Sequence, residues 1–126
     1  MAMKVVGVIY HPKIPAAKAL SERLSEALAG MKANAWLCSS WDEESMNTQC
    51  QGTDLALSVG GDGTILRVAR MVAAWGIPIV GVNMGHLGFM TEFSAGEVLE
   101  KLPAVLAGEG WVDQRAMVQV DLTSEP

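Results

Sequence analysis

Residues 59–66 read Val-Gly-Gly-Asp-Gly-Thr-Ile-Leu, so three glycines and a carboxylate stand between the apolar run Leu55 to Val59 and a segment whose apolar residues recur at helical spacing. A strand that passes into a helix through glycines is the turning point of an α/β unit. There the backbone N–H groups and the helix dipole receive anions, above all phosphate. An acid in that position is unexpected, because Asp62 would repel a bare phosphate unless a hydroxyl or a metal ion lay between them. The placement of Asp62 therefore carries most of the functional information in the chain.

The rest of the sequence repeats the alternation of strand and helix. Residues 4–10 form a nearly continuous apolar run, as expected of a parallel strand covered on both faces, and His11-Pro12 ends it. From Pro15 onward Ala16, Ala17, Leu20, Leu24, Ala27, Leu28 and Met31 recur three and four residues apart, with charged residues between them, which predicts an amphipathic helix. Ala35 to Cys38 is read as a second strand, and Asp42 or a neighbouring hydroxyl as the cap of a brief helix. After the glycine turn, a helix from about Thr64 to Trp75 is expected to turn Ile65, Leu66, Val68, Ala69, Val72 and Ala73 inward, with Gly76 closing it. Ile77 to Val82 supplies the next strand, with Pro78 near its start or edge because it has no N–H for the ladder. Ala95 to Ala107 has helical spacing, and Pro103 within it marks a kink or an early turn. The fold class is α/β, a three-layer, Rossmann-like domain with a mostly parallel sheet, over residues 1–108. Trp111 to Thr123 alternates as an extended segment with no later strand to pair with. Residues 109–126 are accordingly expected to begin a second, β-rich domain of a longer protein.

Composition narrows the partners. Half of the 126 residues are hydrophobic and 18% are charged, an apolar balance that favours a larger or oligomeric assembly. With 9 Lys plus Arg against 14 Asp plus Glu, the chain has no broad basic field for a nucleic-acid backbone. Cys38 and Cys50 are too few for a disulfide framework and fit a reducing compartment. The N-terminal residues run straight into the first strand, too short for a signal sequence or a membrane span, and a cytoplasmic location is expected.

A second glycine-punctuated loop, Asn83-Met84-Gly85-His86-Leu87-Gly88-Phe89-Met90, follows the strand after the first one. Loops at the carboxyl ends of successive parallel strands face one crevice, the usual ligand position in this architecture. Gly60, Gly61 and Gly63 permit a sharp turn and a close approach of backbone to ligand, and the helix start at Thr64 offers N–H groups to a phosphate or ribose oxygen. The pattern is neither the dinucleotide fingerprint nor a P-loop. Asp62 has three functional roles open to it: accepting a hydrogen bond from a sugar hydroxyl, deprotonating that hydroxyl, or contributing to a Mg²⁺ site. A fourth role, capping its own helix or turn, is purely structural. Asn83 can donate and accept beside a ligand. Phe89 and Met90 serve either as a wall for a base or as core, and His86 touches a ligand or ties the loop to a carbonyl. Arg67 and Arg70 are read as surface or intersubunit charges rather than phosphate clamps, since distance from the helix start grows by about 1.5 Å per residue.

Taken together, Gly60-Gly61-Asp62-Gly63-Thr64 with Ile65-Leu66, and Gly81-Val82-Asn83-Met84-Gly85-His86-Leu87-Gly88-Phe89-Met90-Thr91, resemble the amino-terminal half of NAD kinases, which phosphorylate the adenosine ribose 2′-hydroxyl of NAD to make NADP. The glycine-aspartate motif alone is shared with lipid kinases of the diacylglycerol and sphingosine type, and Leu87-Gly88-Phe89-Met90-Thr91 argues for NAD kinase. The resemblance implies that Asp62 contacts the ribose as the general base, within the setting of Gly60, Gly61, Gly63 and Thr64. It also implies that Asn83, Phe89 and Thr91 line the nucleotide pocket. It further implies ATP, or in some bacterial members polyphosphate, as donor, a divalent cation such as Mg²⁺, and a homodimer or homotetramer. A carboxy-terminal domain that completes the site is part of the same expectation, so these 126 residues alone should have little kinase activity. The alternatives are a lipid kinase and a non-catalytic nucleotide-binding module.

Overall fold

The computed structural model describes residues 3–85, 88, 91 and 93–108. His86, Phe89 and Met90, and the expected beginning of a second domain at 109–126, lie outside the described residues.

Five parallel strands form one sheet: β1 (Val5–Tyr10), β2 (Asn34–Ser39), β3 (Leu55–Gly60), β4 (Ile79–Asn83) and the two-residue β5 (Phe93–Ser94), in the order β2-β1-β3-β4-β5. Register is set by pairs such as Val8 with Leu37 and Leu57, and Leu57 with Val80. The helices are α1 (Pro15–Gly30), α2 (Glu43–Gln49), α3 (Asp62–Val72), which runs into a 3-10 turn at Ala73–Trp75, and α4 (Val98–Leu106).

The alternation of side chains along each strand sorts the apolar residues into two cores, one per face. Val6, Val8, Leu55, Leu57, Val59, Val80 and Val82 meet Leu20, Leu24 and Leu28 of α1 and Val98, Leu102 and Leu106 of α4. Ile9, Ala56 and Ile79 face the other way, toward Met46 of α2 and Val68 and Val72 of α3. Burial on both faces explains why the strand sequences are nearly uniformly apolar. Each fully buried Leu or Val contributes about 1.5–3 kcal/mol relative to exposure.

Local chemistry places most elements where expected; β4 begins at Ile79 and α4 at Val98, later than Ile77 and Ala95, and the short β5 was not expected. Asp42 caps α2, its carboxylate accepting from the Ser45 N–H at 3.1 Å and the Ser45 hydroxyl at 2.7 Å. Gly76 ends the α3 segment in the left-handed region at φ 69°, where glycine has no Cβ penalty. Helix α3, however, starts at Asp62 rather than Thr64, because Gly61 takes the extended N-cap position and its carbonyl already accepts from Thr64 and Ile65. Leu66 and Ala73 turn outward, Leu66 being 54% exposed, because the apolar stripe of α3 is narrower than the run of apolar letters. Pro103 sits inside α4 without ending it. Among the described residues, no helix is long and apolar enough to cross a membrane.

Candidate active site

In the order β2-β1-β3-β4-β5 the chain steps from β1 outward to β2, then returns to the other side of β1 for β3. The carboxyl ends of β1 and β3 therefore flank a topological switch point, where the connections diverge to opposite faces and leave a crevice. A cleft of about 620 Å³ opens there, lined by His11 and Ile14 after β1, Ser40 and Trp41 after β2, Gly60, Gly61, Gly63, Thr64 and Arg67 along the β3–α3 junction, and Asn83 and Gly85 at the end of β4.

Backbone contacts hold the two glycine-containing segments together. Gly60 pairs with Asn83 in the sheet, its carbonyl accepts from the Met84 N–H at 2.8 Å, and the Asn83 side chain accepts from the Gly85 N–H at 2.9 Å. Gly60 is required by packing. A Cβ there would run into the Thr64 side chain, 2.9 Å from its Cβ, and would lie 3.3 Å from the Cβ of His11. Gly61 and Gly63 have a different reason to be glycine. Neither is in the left-handed region, and a Cβ on either would project into open space on the cleft wall. The glycine run therefore owes less to a left-handed turn than its composition suggests, and more to keeping the wall bare.

Asp62 is the first residue of α3, and its carboxylate packs against the second loop: a Cβ on Gly88 would lie 2.8 Å from the Asp62 Cγ. Because Gly61 fills the N-cap, Asp62 is not the capping residue, although its charge at the first turn suits the helix dipole. Thr64 lies in the first turn, 4% exposed, and its Oγ1 has no hydrogen-bond partner among the described residues. The Thr91 Oγ1 is likewise buried without one, and Thr91 is not part of the cleft lining. Of the residues singled out by sequence, Gly60, Gly61, Gly63, Thr64 and Asn83 thus share one cleft; Asp62, between two lining glycines, is not itself part of the lining and lies against Gly88, and Phe89 lies outside the described residues.

The other rim was not anticipated. Trp41, 48% exposed, has the His11 ring at 6.0 Å, the Lys13 ammonium at 5.4 Å and the Arg67 guanidinium at 6.0 Å. Arg67 is half-buried and part of the lining, contrary to its reading as a surface charge, whereas Arg70 is exposed. Helical side chains lean toward the helix N-terminus, and this lean offsets the axial distance from Asp62 to Arg67. The available signal for His11, Ser40 and Trp41 was their position just past strand ends, the same criterion that selected the glycine loops.

Cys38 in β2 and Cys50 at the end of α2 are buried free thiols. Burial, with smaller contributions from Asp42 and Cys50, pushes the Cys38 thiol up to about 12. Burial also raises Cys50. Neither is poised as a nucleophile.

A model of the ATP-NAD kinase N-terminal domain matches residues 6–110, a span that includes both loops. The chain belongs to the NAD kinase family. It is 42% identical over 118 residues to the NAD kinase of Dehalococcoides mccartyi strain BAV1, covering 94% of this chain and 42% of that protein. With the NAD kinase of Chloroflexus aurantiacus it shares 35% identity over 120 residues, covering 93% of this chain and 42% of the relative. The chain therefore spans well under half the length of these family members. Yeast NADH kinase, in a crystal structure with NADH, superposes with a TM-score of 0.67 at 19% identity, covering 85% of this chain and 39% of that one. At that identity the likeness concerns the fold, which is that of the NAD kinase N-terminal domain.

Proposed function

We propose that this chain is the catalytic-loop half of an ATP-dependent NAD kinase, which transfers a phosphoryl group to the adenosine ribose 2′-hydroxyl of NAD to form NADP. The observation that carries this reading is the position of Asp62. It is the acid at the β3–α3 junction, and it packs against Gly88 of the loop that shares the cleft with Gly60 and Asn83. That position suits a carboxylate that receives the hydroxyl proton and orients the oxygen for attack. The Gly61 and Gly63 wall would admit nucleotide close to backbone, the Thr64 hydroxyl and Asn83 amide would bind its polar groups, and Phe89 and Thr91 would complete the second loop.

A divalent cation such as Mg²⁺ supplies neutralisation of phosphate charge when bound. No group of three His, Cys, Asp or Glu that could hold a metal ion occurs among the described residues. A Mg²⁺ ion commonly takes one or two carboxylates together with substrate phosphates and water, and Asp62, between the lining glycines Gly61 and Gly63, would be the carboxylate to hold it. Polyphosphate as an alternative donor, a completing carboxy-terminal domain, a homodimer or homotetramer and a cytoplasmic location belong to the same reading. The exposed Leu66 and Trp75 suit coverage by further protein.

The test is to assay the full-length protein with ATP and NAD and to separate the products. NADP formation that Asp62→Asn abolishes, with folding intact, is expected. Phosphorylation of a lipid acceptor in place of NAD, or nucleotide binding without turnover, would replace the reading.

A further inference from the structure

The exits of β1 and β2 bring a cationic rim to the cleft, formed by Lys13 and Arg67 around Trp41. Lys13, exposed after β1, and Arg67, half-buried on α3 and part of the cleft lining, each place their charge near the Trp41 ring, at 5.4 and 6.0 Å from its centroid. This occurs in a chain with a formal charge of −5, where carboxylates outnumber cations. The partner of each cation among the described residues is the ring rather than a carboxylate. Cations held at an aromatic ring rather than by a carboxylate keep their charge available to an arriving anion.

Trp41 is itself firmly seated. Its backbone N–H donates to the Ser39 hydroxyl at 3.0 Å, the adjacent Ser40 N–H donates to the Tyr10 carbonyl at 2.8 Å, and the Asp42 N–H donates to the Ser39 carbonyl at 3.0 Å. Asp42 then caps α2. The Trp41 backbone is thus fixed on both sides, and its half-exposed side chain lines the cleft together with His11, Ser40 and Arg67. On the cleft floor the buried Thr64 hydroxyl, 4% exposed, has no partner among the described residues.

We propose that Trp41 is the platform of an anion clamp, holding Arg67 and Lys13 so that they grip the phosphate chain of the phosphoryl donor. The proposal rests on the kinase reading only for the name of the ligand. Its chemistry, two cations on an aromatic post beside a bare glycine wall, selects a polyphosphate chain whether or not a nucleoside is attached. Trp41 acts here as a positioning residue, and Arg67 and Lys13 supply the charge.

The experiment uses the full-length protein with sodium tripolyphosphate as the probe, titrated by calorimetry, and ATP as the comparison. Arg67→Ala and Lys13→Ala are each expected to weaken tripolyphosphate binding about tenfold, the loss of one charge-assisted contact. Each should raise the ATP KM by a similar factor and leave the NAD KM within about twofold of wild type. Trp41→Ala should act in the same direction and Trp41→Phe should restore most of the affinity, because a phenyl face still carries the cations. Tripolyphosphate affinity unchanged in both cation variants would overturn the clamp, as would a Trp41→Phe protein no better than Trp41→Ala. A protein that binds tripolyphosphate through these residues yet fails to phosphorylate NAD would uphold the clamp and remove the kinase reading, so the two fail separately.

Discussion

The carboxylate of Asp62 lies against the backbone of Gly88, so closely that a side chain on Gly88 would occupy its place. The first residue of α3 and Gly88 beyond β4 are thereby brought into contact. Asp62→Asn keeps the shape of that contact and removes the proposed proton acceptor. In the full-length protein kcat is expected to fall about 10²–10⁴-fold, the range for a lost general base. The NAD KM and the thermal midpoint should change little. Steady-state kinetics beside a melting curve check this, and wild-type turnover in a folded Asp62→Asn protein would remove the base assignment.

Gly88→Ala tests the contact from the opposite side. The added methyl would have to displace the Asp62 carboxylate or the loop, and a shift of about 1 Å in a catalytic group can cost about 10²-fold in rate. The expected result is a large drop in kcat with the melting transition nearly unchanged, because both groups lie outside the two apolar cores. Equal kcat in wild type and variant would mean that the observed approach does not position the acid.

At Gly60 the obstruction is structural. A Cβ there meets the Thr64 side chain and presses on His11, inside a strand position that pairs with Asn83. Gly60→Ala should destabilise the protein by about 1–3 kcal/mol, as overpacking does. Thr64→Ala combined with it should cost less than the sum of the two, because the hydroxyl that collides is gone. Urea denaturation of wild type, the two single variants and the double variant gives the coupling, and strict additivity would contradict the clash.

Burial of Cys38 sets a pH dependence. Its pKa in the folded protein is pushed up from 9.0 to about 12, so between those values the unfolded chain has lost a proton that the folded chain retains. Stability from this group is complete below pH 9.0 and is lost as pH rises toward about 12. Native protein at pH 8 should react slowly with a thiol reagent at Cys38 and quickly once unfolded. A Cys38→Ser variant should show a shallower loss of stability above pH 9 than wild type, and identical alkaline slopes would argue against the buried thiol as its source.

Much of the architecture is local information. The apolar runs that became β1, β3 and β4, the three- and four-residue spacing of α1 and the capping carboxylate of Asp42 are legible because strand period, helix period and capping depend on near neighbours. Leu66 shows the limit: it is apolar and adjacent to buried Ile65, yet α3 turns it to the surface, and which flank of a stripe is covered depends on the partner helix and sheet. The two-residue β5 is shorter than periodicity can register.

The two glycine loops and Asp62 could be picked out along the chain, and their resemblance to NAD kinases pointed to the family to which the chain belongs. What only the tertiary structure decided is who stands opposite. The strand order β2-β1-β3-β4-β5 places the exits of β1 and β2 beside the β3–α3 turn, bringing His11 and Trp41 to Arg67, and it sets Gly88 against Asp62. Those pairings join residues far apart in sequence, and no local period records them. They follow from which strands bury one another's side chains, a property of the packed sheet as a whole.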